Sequence, residues 1–150
     1  MNHLEFKVKN IHKYASTKPA SCLATCESLA SKIFVETGNR PDLFSAGNYH
    51  YHLRINNFEI VDPTLTQFFR VPRHYRPKVF IGSLPELKLH LSELQRAFGF
   101  NDQHLYINTN RPKSVEDLYH LWSQARLSKS GNRLRKMVIQ RSGTQKAWYE

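Results

Sequence analysis

The stretch His50-Tyr51-His52-Leu53-Arg54-Ile55-Asn56-Asn57-Phe58-Glu59-Ile60-Val61-Asp62-Pro63-Thr64 decides how this chain folds. Leu53 and Ile55 alternate with His50, His52 and Arg54, the period of a strand with one apolar face. Asn56-Asn57 is a turn signal, and Phe58-Glu59-Ile60-Val61 then resumes a β-favouring run, so the spacing predicts a β-hairpin. This hairpin sets an imidazole strand beside a carboxylate strand.

Upstream, Leu23, Cys26, Ala30, Ile33 and Phe34 recur at helical spacing between Ser21 and Glu36, and Thr37-Gly38-Asn39 supplies the stop. Nearer the N-terminus, Leu4, Phe6 and Val8 alternate with Glu5, Lys7 and Lys9, which predicts a short strand. Downstream, Val79-Phe80-Ile81 reads as a strand ended by Gly82-Ser83. Ser83 and Glu86 have capping-box spacing ahead of a helix carrying Leu87, Leu91, Leu94 and Phe98, with Gly99 as its stop. A short Leu105-Tyr106-Ile107 strand is expected next. Ser114 and Asp117 then open a last helix with Val115, Leu118, Leu121, Trp122 and Ala125 on one face. Helices and strands are not strictly alternating, so the fold class is α+β.

The chain has 150 residues, 40% of them hydrophobic and 23% charged. That suits one compact domain, and no apolar run approaches the ~20 residues that cross a bilayer. The net charge is +10, and Arg126 to Glu150, with seven basic residues and one acidic, holds +6 of it. Residues 1–127 are therefore read as the domain and 128–150 as a basic, partly disordered tail. Such a tail suits an acidic partner or an anionic surface. Nucleic acid is not expected, because no aromatic stacking series or finger spacing accompanies the charge. The N-terminus shows no signal peptide, so export is expected to depend on another route or a larger parent chain.

A nucleophilic cysteine acts as a thiolate, which a helix N-terminus favours. Cys22 follows Ser21, a good N-cap type, and would be the first helical residue, whereas Cys26 falls one turn later among core-facing positions. His50 and Asp62 then follow on adjacent strands, the residue types and order of a Cys-His-Asp triad. His52 shares the His50 face, about 6.6 Å along at ~3.3 Å per residue, so either ring can face the thiol. A disulfide between Cys22 and Cys26 would need distorted geometry, and free thiols are expected.

Cys22 at a helix start, the His50 to Ile55 strand and Phe58 to Thr64 together resemble the transglutaminase-like and papain-like cysteine folds. Asp62-Pro63-Thr64-Leu65-Thr66-Gln67-Phe68-Phe69, followed by Val79-Phe80-Ile81-Gly82 and a Leu-rich helix, is similar more narrowly to the papain-fold domain of bacterial dermonecrotoxins and related effectors. The resemblance implies an N-terminal cysteine helix packed on a small antiparallel sheet. It makes Cys22 the nucleophile, His50 the base and then acid, and Asp62 the group that orients the ring. Cys26 and His52 are the alternates and Gln67 a supporting hydrogen-bonding group. No metal or cofactor enters this reading. The implied activity is glutamine deamidation of a host protein such as a heterotrimeric G-protein α subunit. Delivery into a target-cell cytosol, as part of a larger toxin, comes with it. Proteolysis and transamidation share the same acyl-enzyme and stay open.

Two other readings use the same residues. Cys22, Cys26, His50 and His52 make a Cys2His2 set suited to structural zinc. Alternatively, the cysteines are mere packing in a non-enzymatic interaction module whose tail docks on an acidic partner. His74, His90, His104 and His120 have no partner spacing and read as surface residues.

Overall fold

The computed structural model describes residues 3–18, 21–46, 50–101 and 112–128. The hairpin forms as predicted from β2 (His50–Ile55) and β3 (Glu59–Asp62). Asn56 and Asn57 sit at φ 56° and 65°, the left-handed pair of a type I′ turn whose twist matches the strands it joins. Around it an antiparallel sheet assembles in the order β4-β3-β2-β1-β5, with β1 at Asp42–Ala46, β4 at Phe80–Gly82 and β5 at Arg126–Leu127.

Register sorts the side chains. Leu53 pairs with both Leu43 and Val61, and these three face one side of the sheet with Ile55. There they meet α2 (Cys22–Thr37) through Cys26, Leu29, Ala30, Ile33 and Phe34. Gly38, at φ 77°, closes that helix in the left-handed conformation that glycine tolerates best. The opposite face, carrying His50, His52, Arg54, Ile60 and Asp62, lies under α3 (Leu84–Phe98) and α4 (Val115–Ser123). The Ser83–Glu86 capping box opens α3, and Ser114 caps α4 by accepting from the Asp117 N–H. The protein is thus α+β, with a helix packed on a small antiparallel sheet and a second helical layer behind it.

Both faces of β2 are covered, which departs from the half-exposed strand that alternation suggests: His50, His52 and Arg54 are all buried. The N-terminal stretch also differs, forming the helix α1 (His3–Lys7) rather than a strand. Leu4 and Val8 fit a strand period, but Leu4, Val8 and Ile11 are also spaced by four and three residues, the period of a helix face. Burial of all three against α2 selects the helical period, with Val8 N–H donating to the Leu4 carbonyl at 2.9 Å. Strands β1 and β5 gave little warning, because in Asp42–Ala46 only Leu43 is fully buried and both residues of β5 are exposed. The expected Leu105 to Ile107 strand, His104 and residues 129–150 of the basic tail lie outside the described residues. Among the described residues no helix is long and apolar enough to cross a membrane.

Candidate active site

Cys22 is the first residue of α2 and is 5% exposed. Ser21 occupies the cap position, but its hydroxyl donates to the Lys18 carbonyl at 2.8 Å instead of accepting from the first turn. Just upstream, the Ser16 N–H donates to the Pro63 carbonyl at 2.8 Å, tying the approach to α2 to the Asp62-Pro63-Thr64 turn. The chain thereby brings the amino end of the cysteine helix to the end of the carboxylate strand.

Asp62 accepts three hydrogen bonds. Its Oδ2 takes one from His50 Nε2 at 2.7 Å and one from Trp122 Nε1 at 2.6 Å, while Oδ1 takes the Thr64 N–H at 3.0 Å. Cys22 lies near enough to add to the basicity of His50, and since Nε2 is committed to Asp62, Nδ1 is the nitrogen left to meet the sulfur. Phe68 and Trp122 hold the His50 ring edge-on, at centroid separations of 5.0 and 5.1 Å. His50 and Asp62 therefore form a hydrogen-bonded pair inside an aromatic enclosure, with Cys22 near the ring.

Electrostatics follow from that enclosure. Burial alone would lower the basicity of His50, but the Asp62 charge, the bond to it and the contact with Cys22 outweigh burial and raise the imidazole to about 9. Burial likewise opposes ionisation of Asp62, yet the His50 charge and hydrogen bond hold its carboxyl below the ordinary value. Burial pushes His52 the other way, to about 3, with His50 and Arg54 adding to the effect against the pull of Asp62. At neutral pH, then, His50 is an imidazolium and His52 a neutral ring.

Register extends the pairing of Leu53 with Val61 to His52 opposite Asp62, so His52 would be the nearer partner by strand geometry alone. Arg54 reverses the choice. Its Nε donates to His52 Nε2 at 3.0 Å, and its Nη2 to the Trp122 carbonyl at 2.6 Å. Held from its own strand, His52 leaves Asp62 to the diagonal neighbour His50. The two rings stack at 6.2 Å, close to the spacing expected for one strand face.

The remaining alternates stand apart from Cys22, His50 and Asp62. Cys26 is 0% exposed, its Sγ donates to the Tyr51 carbonyl at 3.6 Å, and burial raises its thiol well above the usual range. Gln67 Nε2 lies 3.4 Å from His50 Nδ1 and donates to Thr64 Oγ1 at 3.2 Å. Two donors cannot bond each other, so against an imidazolium Gln67 is anchored by Thr64 and only borders the ring. The Cys2His2 grouping is not assembled: among the described residues the metal-ligating side chains that converge are His50, His52 and Asp62, and the Arg54 N–H occupies the face of His52 Nε2.

Trp122, Arg54 and Thr64 escaped the sequence reading. Trp122 reads as one more apolar residue on the α4 stripe, although a buried indole needs an acceptor for its N–H, which was the available signal. Comparison with known protein families, curated proteins and solved structures gives no significant match to this chain.

Proposed function

We propose that this chain is a cysteine-dependent amidohydrolase in which Cys22 is the nucleophile, His50 the acid–base and Asp62 the residue orienting the ring. The observation that carries the reading is the buried His50 imidazole, bonded through Nε2 to Asp62 at 2.7 Å, with Cys22 of the helix start near enough to add to its basicity. In this reaction the Cys22 proton already resides on His50, whose imidazolium faces the thiolate, and the sulfur attacks a carboxamide carbon. As the C–N bond breaks, His50 returns the proton to the departing nitrogen, leaving a thioester. Water, losing a proton to His50, attacks that thioester; the C–S bond breaks and Cys22 is restored. The Cys22 N–H at the start of α2 is the natural donor to the tetrahedral oxyanion.

The sequence resemblance to papain-like and transglutaminase-like toxin domains supports this order of cysteine helix, imidazole strand and carboxylate strand. It extends the proposal to a glutamine of a host protein as substrate, and to action as a bacterial effector within a target-cell cytosol. Intact-mass analysis of candidate target proteins, exposed to this chain and to Cys22→Ala, tests both levels. The small mass gain of amide-to-acid conversion, lost with Cys22→Ala, is expected. Cleavage products indicate a protease and cross-linked species a transglutaminase of the same chemistry. Equal effects of the two proteins on any target refute catalysis by Cys22.

A further inference from the structure

Behind the proposed triad lies a second pair of buried polar residues that the reaction as written does not use. Arg54 is 9% exposed, its guanidinium stacks over the Phe44 ring at 4.4 Å, and its directed hydrogen bonds go to the Trp122 carbonyl and His52 Nε2. An arginine only donates, so the Nε–H···Nε2 bond requires a lone pair on His52 Nε2. The neutral ring must then carry its proton on Nδ1. That Nδ1 is buried with no hydrogen-bond partner among the described residues. A ring nitrogen of His52 lies within 4.8 Å of both an Asp62 oxygen and a His50 nitrogen, and Phe44 closes the other side at 5.9 Å. Leaving a buried N–H without an acceptor is costly, and a gap of that size is spanned by one water making two hydrogen bonds.

We infer that His52 is a positioning residue for the proposed reaction: Arg54 locks it in the Nδ1–H tautomer, and that N–H reaches the His50–Asp62 pair through a bound water. The inference rests on the catalytic reading above. The groups facing His52 are Phe44 from β1, His50 and Arg54 from its own strand, and Asp62 from β3, while Tyr119 of α4 interacts with the Arg54 charge. Asp62 is thus steadied from three directions: Thr64 along the chain, Trp122 from the helix above, and His52 from the strand beside it. A neutral His52 suits this role, because a second full charge would compete with His50 for the carboxylate.

Nitrogen-15 NMR of the histidine rings in the full chain at neutral pH provides the first test and needs no variant. A protonated Nδ1 and a bare Nε2 at His52 are expected; the opposite tautomer overturns the inference. Arg54→Met should release the lock and give mixed His52 tautomers, and unchanged tautomers overturn the claim about Arg54. For turnover, His52→Phe should lower kcat by roughly 10–100-fold with KM unchanged, as for loss of alignment, and His52→Asn, which keeps a donor near the Nδ1 position, should recover part of it. Wild-type turnover in His52→Phe sinks the positioning role. The His50 ring proton bonded to Asp62 gives a readout independent of activity. It should shift in His52→Phe even where Cys22→Ala reveals that no turnover depends on the thiol, so failure of the catalytic reading and failure of this one are distinguishable; an unmoved proton overturns the inference.

Discussion

Asp62→Asn removes the charge of the buried pair while leaving an acceptor oxygen for Thr64 or Trp122, and its consequence can be worked from the structure. His50 stands at about 9 against an ordinary value of 6.5, although burial, the largest single influence on it, acts downward. Without the Asp62 charge and hydrogen bond, burial prevails and His50 should titrate below 6.5. The fall exceeds two pH units, or roughly 3 kcal/mol of lost preference for the imidazolium. Because the folded value of His50 is raised, the stability it contributes is fully present below about pH 6.5 and is lost as pH rises through about 9. Asp62 is depressed below its ordinary 3.8, so its share is present above that value and lost as pH falls through the folded one. The stability difference between wild type and Asp62→Asn should therefore be largest between about pH 4 and 6.5 and shrink on either side. Urea unfolding at a series of pH values, with ring NMR of His50, measures both quantities. A His50 midpoint still near 9 in the variant, or a stability difference flat from pH 5 to 9, refutes the coupling on which the site reading depends.

Three further outcomes are expected. Trp122→Phe deletes a 2.6 Å bond to a buried carboxylate, so chemical denaturation should show a loss of about 1.5–3 kcal/mol from that bond, plus a smaller packing cost. A thiol-directed electrophile should label Cys22 well ahead of Cys26, and Cys26→Ala should cost about 1 kcal/mol of stability while leaving turnover and Cys22 labelling in place; equal, slow labelling of both thiols would falsify nucleophile activation. His52, lowered to about 3 from 6.5, contributes stability present above pH 6.5 and lost as pH falls toward 3, so thermal melts of His52→Asn should show a flatter acid limb than wild type.

Much of the fold was legible because local chemistry and global packing agree. Asn56-Asn57 tolerates left-handed backbone, Gly38 ends α2, and Ser83 with Glu86 caps α3, each a decision made within a few residues. The N-terminal segment misled because Leu4 and Val8 satisfy a strand period and a helical one equally, and only contact with α2 breaks the tie. Strand β1 was silent because its neighbours, not its own hydrophobicity, hold it in the sheet.

The candidate site divides along the same line. By itself the amino-acid sequence determined which reactive groups exist and which elements carry them: Cys22 at a helix start, His50 and His52 on one strand face, Asp62 on the next strand. Only the tertiary structure shows which histidine bonds Asp62 and which thiol is sealed in the core. Choosing His50 requires Arg54 to hold His52 by its Nε2, and that arginine is anchored on the carbonyl of Trp122, 68 residues away. Demoting Cys26 requires the core that surrounds it. Periodicity reports which face a side chain occupies, whereas a hydrogen bond depends on what a distant segment brings to that face.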